Sequence, residues 1–182
     1  VDEIILIIGY KGDMIKERFG SKYKNKKLTY VEQKEQKGTA HALFLAKPHL
    51  NAKEHCIIMY ADDIYDKESI AELLKHDRAI TITTSEHPER FGVVDLDKDN
   101  KVIDIIEKPD HPKSNLISNG AYLLDHHIFD YETEEHKGEL YLPHLIAKLV
   151  KDFPVYAVRS KFWLPIGYPE DLKKAEKILD NK

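Results

Sequence analysis

The chain has 182 residues, 42% of them hydrophobic and 33% charged, a balance that suits one folded domain and excludes wholesale disorder and a membrane-spanning run. Lysine and arginine number 28 against 32 aspartates and glutamates, a formal charge of −4, so no basic surplus exists to neutralise a nucleic-acid backbone. Neither nucleic acid nor membrane is expected as a partner. Cys56 is the single cysteine, which rules out an internal disulfide and, with no charged-then-apolar leader, predicts a cytoplasmic setting.

The first apolar run, Ile4 to Ile8, follows Val1-Asp2-Glu3 directly. It reads as a central strand covered on both faces, in a domain entered partway. Asp13 is the expected cap of a helix running to Phe19 and stopped by Gly20. Leu28 to Gln33 is a second strand, and Thr39 opens a helix that Pro48 closes. Cys56 to Tyr60 repeats the buried-strand pattern, and Ser69 to His76 is helical. This alternation is the α/β signature. Ala79 to Ser85 reads as a half-buried strand, and Phe91–Asp97 with Val102–Ile106 as a hairpin around Lys98-Asp99-Asn100-Lys101. Ile117 to Leu124 is a strand, Leu140 to Lys151 a helix and Val155 to Val158 a late strand. Pro169 opens the last helix, Glu170 to Leu179, with Leu172, Ala175, Ile178 and Leu179 on its packing face. The expected architecture is a Rossmann-like three-layer α/β/α sandwich with a mixed, mostly parallel sheet, as one domain over residues 1–182.

Three constellations could carry chemistry. Gln33-x-x-Gln36-x-Gly38-Thr39 lies between a strand end and a helix start, where ligands of open α/β sheets bind, and a glutamine amide matches a pyrimidine edge. The plainer reading is a turn capped by Thr39. Asp62-Asp63 follows the strand ending at Tyr60; a carboxylate there suits a hard divalent cation bridging phosphates, with Asp62 the nearer to the strand. The plainer reading is a polar turn. Glu107-Lys108-Pro109 and Ser118-Asn119-Gly120 offer a carboxylate for sugar hydroxyls, a lysine for phosphate and an amide for either. Gly92 could mark close backbone approach or merely a strand start. The ten histidines show no metal-ligand spacing, and Cys56 reads as an inert core thiol.

Taken in order, these pieces resemble the nucleotide-sugar pyrophosphorylases, the sugar-phosphate nucleotidyltransferases. The match runs from Ile4–Gly9 with Tyr10-Lys11-Gly12, through Gln33 to Ala42, Ala61-Asp62-Asp63, Phe91-Gly92-Val93-Val94, Glu107-Lys108-Pro109, Ser118-Asn119-Gly120 and Glu139–Leu142, to Trp163–Leu172. The resemblance implies that Gln33, Gln36, Gly38 and Thr39 hold the base, and that Asp62 binds Mg2+. It puts Gly92, Glu107, Lys108, Asn119 and Gly120 around the sugar phosphate, with Asp62 and Lys108 catalytic. The implied partners are a nucleoside triphosphate, UTP ahead of dTTP, and a sugar 1-phosphate, glucose 1-phosphate foremost; a homo-oligomer is compatible with this reading.

Three departures from the family pattern stand out. An opening strand and a glycine-rich, arginine-bearing triphosphate loop, about one βαβ unit or roughly 30–50 residues, are missing before Val1. Ala61 replaces the usual glycine. Pro165 in Trp163-Leu164-Pro165-Ile166-Gly167 stands where a second metal carboxylate is typical. A nucleotide-sugar binding module without turnover is therefore the alternative, and a glycosyltransferase holding a donor diphosphate at Asp62-Asp63 the third reading.

Overall fold

In the computed structural model residues 1–51, 53–136 and 138–179 are described. Among the described residues eleven strands and five α-helices follow one another in the expected α/β order. β1 (Glu3–Ile8), α1 (Gly12–Phe19), β2 (Lys22–Tyr23) and β3 (Lys26–Glu32) lead to α2 (Thr39–Ala46), β4 (Cys56–Met59), β5 (Ile64–Tyr65) and α3 (Lys67–Leu73). β6 (Ala79–Thr84), β7 (Gly92–Leu96), β8 (Val102–Glu107) and β9 (Leu116–Leu124) come next. The chain ends with α4 (Leu142–Asp152), β10 (Tyr156–Arg159), β11 (Trp163–Leu164) and α5 (Pro169–Leu179).

The strands form a sheet of order β1-β3-β2, a larger sheet of order β10-β6-β9-β7-β8 with β4 also on β9, and the small pair β11-β5. Directions are mixed, with more antiparallel pairing than the mostly parallel sheet expected. β1–β3 and β6–β10 run parallel, whereas β9 is antiparallel to β4, β6 and β7. A continuous apolar run such as Cys-Ile-Ile-Met reports burial on two faces but carries no information on strand direction. β1 pairs only β3 among the described residues, so it is not central there.

Side-chain alternation along the large sheet makes two cores. Ile80, Ile82, Ile105, Tyr122 and Leu124 face α2 and α4, whose Leu43, Leu142, Leu145, Ile146 and Leu149 pack on them. On the opposite face Ala79, Leu123 and Val158 bury Leu73 of α3. Helices on both faces of a sheet give the Rossmann-like layering. The sheet also curls: Val102 N donates to Val155 O at 2.8 Å and Ala157 N to Asn100 O at 2.9 Å, joining the β7–β8 hairpin end to β10.

Several local expectations shift. Asp13 does not cap α1; Lys11, at φ 57, occupies that position, and the Asp13 carboxylate accepts from Lys16 at 3.1 Å. Met14 (62% exposed) and Phe19 (45%) point outward. α3 starts two residues early because Asp66 caps it, accepting from Ser69 N at 2.8 Å. In α5 Ala175 is buried and Leu172 exposed, and the predicted packing of Leu179 lies outside the described side chains.

Asp66 does more than cap. Its second oxygen accepts from Lys161 N at 3.2 Å and Phe162 N at 3.1 Å, fastening the turn before β11 to α3. Burial alone would raise this carboxyl, but the bonds from Ser69, Phe162 and Lys161 outweigh it and hold its pKa below the ordinary value. Asp66→Ala removes all of them, so we expect a loss of about 3 kcal/mol, read as a lower denaturation midpoint at pH 7. The loss shrinks as pH falls below the carboxylate range, where the wild-type carboxylate itself is protonated.

Candidate active site

β4 delivers the acidic pair. After Met59 the chain continues as Tyr60, whose N–H donates to Gly120 O at 3.3 Å. Asp62 and Asp63 follow and face different environments. Asp63 is partly buried, and its Oδ2 accepts from Trp163 Nε1 at 2.9 Å and Tyr65 hydroxyl at 3.3 Å. Desolvation raises its pKa, against these bonds. Asp62 is exposed and makes no hydrogen bond or ion pair among the described residues. The neighbouring carboxylates are thus divided: Asp63 anchors the β11 strap, and Asp62 is open to a ligand.

The Gln33–Thr39 loop follows β3. Gln33 Nε2 donates to Gly38 O at 3.1 Å and lies 2.9 Å from His41 Nδ1. Gln36 is exposed. Gly38 has φ +90, and a Cβ there would lie 2.5 Å from Leu140 O, so only glycine permits this contact. Thr39 is not the α2 cap; its Oγ1 accepts from Leu142 N at 2.9 Å, serving the start of α4 instead. Leu140 N donates to Lys37 O and Ala40 N to Leu140 O, both at 2.8 Å, completing the seam.

On the hairpin side Glu107, Gly92 and Ser118 face one another across β8, β7 and β9. A Cβ at Gly92 would lie 3.1 Å from Glu107 Oε2; glycine leaves the carboxylate its slot. The Glu107 side chain is 9% exposed and its nearest cation is Lys108 Nζ at 4.0 Å. Burial pushes Glu107 up to about 7, with Glu139 adding to the rise and Lys108 opposing it. Asn119 is buried, donates to Ser160 Oγ at 2.9 Å and leaves its Oδ1 without a partner among the described residues. A cleft of about 610 Å³ lined by Glu89, Arg90, Lys108, Pro109 and Asp110 opens beside this group.

Tyr60 draws these parts together. Gly120, at φ +86, has no Cβ to meet the Tyr60 ring, which would lie 2.5 Å away. The Tyr60 hydroxyl has those of Tyr122 and Thr39 among its polar neighbours, and its electrostatic neighbours include Glu107 and Asp63. The roles of Tyr60, Tyr122, Tyr141 and Trp163 escape sequence reasoning, although Tyr141 and Trp163 lie in matched segments, because their partners include residues distant in the chain. The aromatic residue beside Asp62-Asp63 was the available signal for Tyr60. Asp125, His126 and His127 also cluster within 4.8 Å, but the Asp125 carboxylate is already paired with Arg78, so they read as structural.

The family profile described as nucleotidyl transferase matches residues 1–182. Among curated relatives, the bifunctional protein GlmU of Methanococcus maripaludis is 34% identical over all of this chain and 44% of its own length. The UTP–glucose-1-phosphate uridylyltransferase AglF of Haloferax volcanii is 30% identical over all of the chain and 79% of its own length. A structure described as a glucose-1-phosphate thymidylyltransferase of Bacillus anthracis, in complex with sucrose, superposes with a TM-score of 0.82 at 25% identity, covering 98% of this chain and 76% of that one. The chain spans less than half the length of the GlmU relative.

Burial of Glu107 has a consequence for stability. The fold retains its proton up to about pH 7 while the unfolded chain releases it near 4.5, so stability falls as pH rises through that window, by up to about 3 kcal/mol at pH 8. Glu107→Gln is expected to raise the thermal midpoint at pH 8 and leave it nearly unchanged at pH 5. Equal shifts at both pH values would contradict the burial argument.

Proposed function

Because the chain belongs to the nucleotidyl transferase family, we propose that it joins a nucleoside triphosphate to a sugar 1-phosphate, releasing pyrophosphate. UTP is preferred to dTTP and glucose 1-phosphate is the foremost sugar substrate, a choice supported by the Gln33-x-x-Gln36-x-Gly38-Thr39 pattern and by the activity named for the Haloferax relative. The observation that carries the reading is the seam joining the base side to the sugar side: Leu140 and Leu142 bond to Lys37, Ala40 and Thr39, and Tyr141 between them meets Lys108 beside Glu107.

In the proposed reaction a phosphate oxygen of the sugar 1-phosphate attacks the α-phosphorus in line, a new P–O bond forms, and the bond to pyrophosphate breaks. Both reactants are anions, so positioning and charge neutralisation supply most of the rate. The Gln33–Thr39 loop would face the base, with Gln36 open to its edge and Gln33 ordering the loop through Gly38. Lys108 would meet the sugar phosphate. Glu107, ionised above about pH 7, would accept from sugar hydroxyls, and the orphan Oδ1 of Asn119 would accept another. Gly92 and Gly120 would line the sugar side with backbone only, the space of a Cβ being taken by Ile105 and Glu107 at the first and by Tyr60 and Tyr65 at the second.

Asp62 fits a divalent cation, since its exposed carboxylate is uncommitted while Asp63 is spent on Trp163 and Tyr65. Pro165 offers no side-chain ligand. One carboxylate suits Mg2+, which keeps waters and takes phosphate oxygens for its remaining positions. When bound, Mg2+ would supply neutralisation of the charge developing on the phosphates.

Asp62→Asn in the full-length protein is expected to cut pyrophosphate release about a thousandfold without lowering the thermal midpoint, measured with UTP and glucose 1-phosphate varied in turn. UDP-glucose binding with no pyrophosphate release by the wild-type protein would assign a binding module instead, and free UDP produced with an acceptor sugar would assign glycosyl transfer.

A further inference from the structure

Lys108 carries a flexible cationic chain that has to be held against thermal motion to meet a phosphate, and its restraints are unusual. Its backbone is left-handed at φ 45, a strained conformation for a residue with a side chain and a common mark of positioned functional groups. Its N–H donates to Phe91 O at 3.0 Å, extending the β7–β8 ladder by one bond. The ammonium then donates to the Tyr141 hydroxyl at 3.2 Å, and Nζ lies 4.5 Å from the Tyr141 ring centroid.

We propose that Tyr141 is the positioning residue for Lys108, and that the short Glu139–Leu142 segment bearing it ties the sugar-phosphate side of the site to the Gln33–Thr39 loop. This rests on the function proposed above. Tyr141 is 6% exposed and is steadied by His136 and His144, whose rings lie 6.3 and 5.7 Å from its own. The residues on either side of it are bonded to Lys37, Thr39 and Ala40, and Gly38 lets the two backbones touch. The chemistry of the partner matters. A phenol and an aromatic face orient an ammonium without cancelling its charge, so the full positive charge is left for a phosphate. Glu107, at 4.0 Å, is too distant for a direct hydrogen bond.

The test uses the full-length protein. Tyr141→Phe keeps the ring and loses the hydroxyl; Tyr141→Leu loses both. The KM for sugar 1-phosphate is expected to rise about threefold in the first and about tenfold in the second, with the KM for nucleoside triphosphate within about twofold of wild type. In a Lys108→Met background neither substitution should lower kcat/KM further. Additive losses there, or a wild-type KM in Tyr141→Leu, would overturn the proposal. A readout independent of turnover is the titration of the Glu107 carboxyl followed by carbon NMR. It should move upward in Tyr141→Leu as Lys108 departs, and an unmoved titration would also overturn the positioning role. Wild-type protein that releases no pyrophosphate would sink the functional reading, while the titration would still decide this one.

Discussion

The packing of the Tyr60 ring against Gly120 is the constraint on which the site depends. Gly120 lies in an irregular stretch of β9, where the pairing slips between Ile80 and Ile82, and its left-handed backbone turns the missing Cβ toward the ring. β4 can therefore run antiparallel beside β9 as far as Met59 opposite Ala121 and still bring a bulky phenol onto the strand. Irregularities of this kind bend a strand and re-aim its neighbours. Here the result is that the residues after Tyr60 emerge at the mouth of the large sheet. The hydroxyls of Tyr60, Tyr122, Ser118 and Thr39 gather beside them, with Ser118 donating to Tyr122.

These groups are uncharged: burial raises the phenol of Tyr60 and drives that of Tyr122 well above its usual range, keeping both neutral. An aromatic, neutral floor is a poor solvent for charge. Glu107 sits beside it and is raised accordingly, whereas Asp62 projects into water. Glu107 and Asp62 thus differ through their surroundings, one buried and poised near neutrality, the other open to solvent. The basic counterpart, Lys108, is held by neutral contacts.

Much of the fold was legible from residue pattern. Leu142–Asp152 announces itself because hiding one face imposes a period of 3.6, and Ile4–Ile8 and Cys56–Met59 because a short, continuous, β-branched apolar run reads as a strand. Direction and pairing were not legible: nothing in Cys56–Met59 says that its neighbour is Leu116–Leu124, some sixty residues on. Two-residue strands such as Lys22–Tyr23 and Trp163–Leu164 carry no period at all. At the site, adjacency to the strand was only a weak argument for preferring Asp62 to Asp63, and the bonds that occupy Asp63 come from Trp163, a hundred residues on, and from Tyr65. Thr39 shows the opposite case. Its position before a helix suggested a cap, yet its hydroxyl serves a backbone amide about a hundred residues away, a contact that tertiary structure alone creates.

The outermost strand of the large sheet, β8, exposes Ile103 and Ile106, the kind of greasy margin along which protein molecules stick together. Lys151 reaches from α4 to place its ammonium on the Ile103 carbonyl at 2.9 Å, near Asp104, and the far end of the hairpin is already fastened to β10. A single cationic side chain therefore serves as a bumper on this rim, hindering molecule-to-molecule sheet growth where the hydrocarbon is least covered.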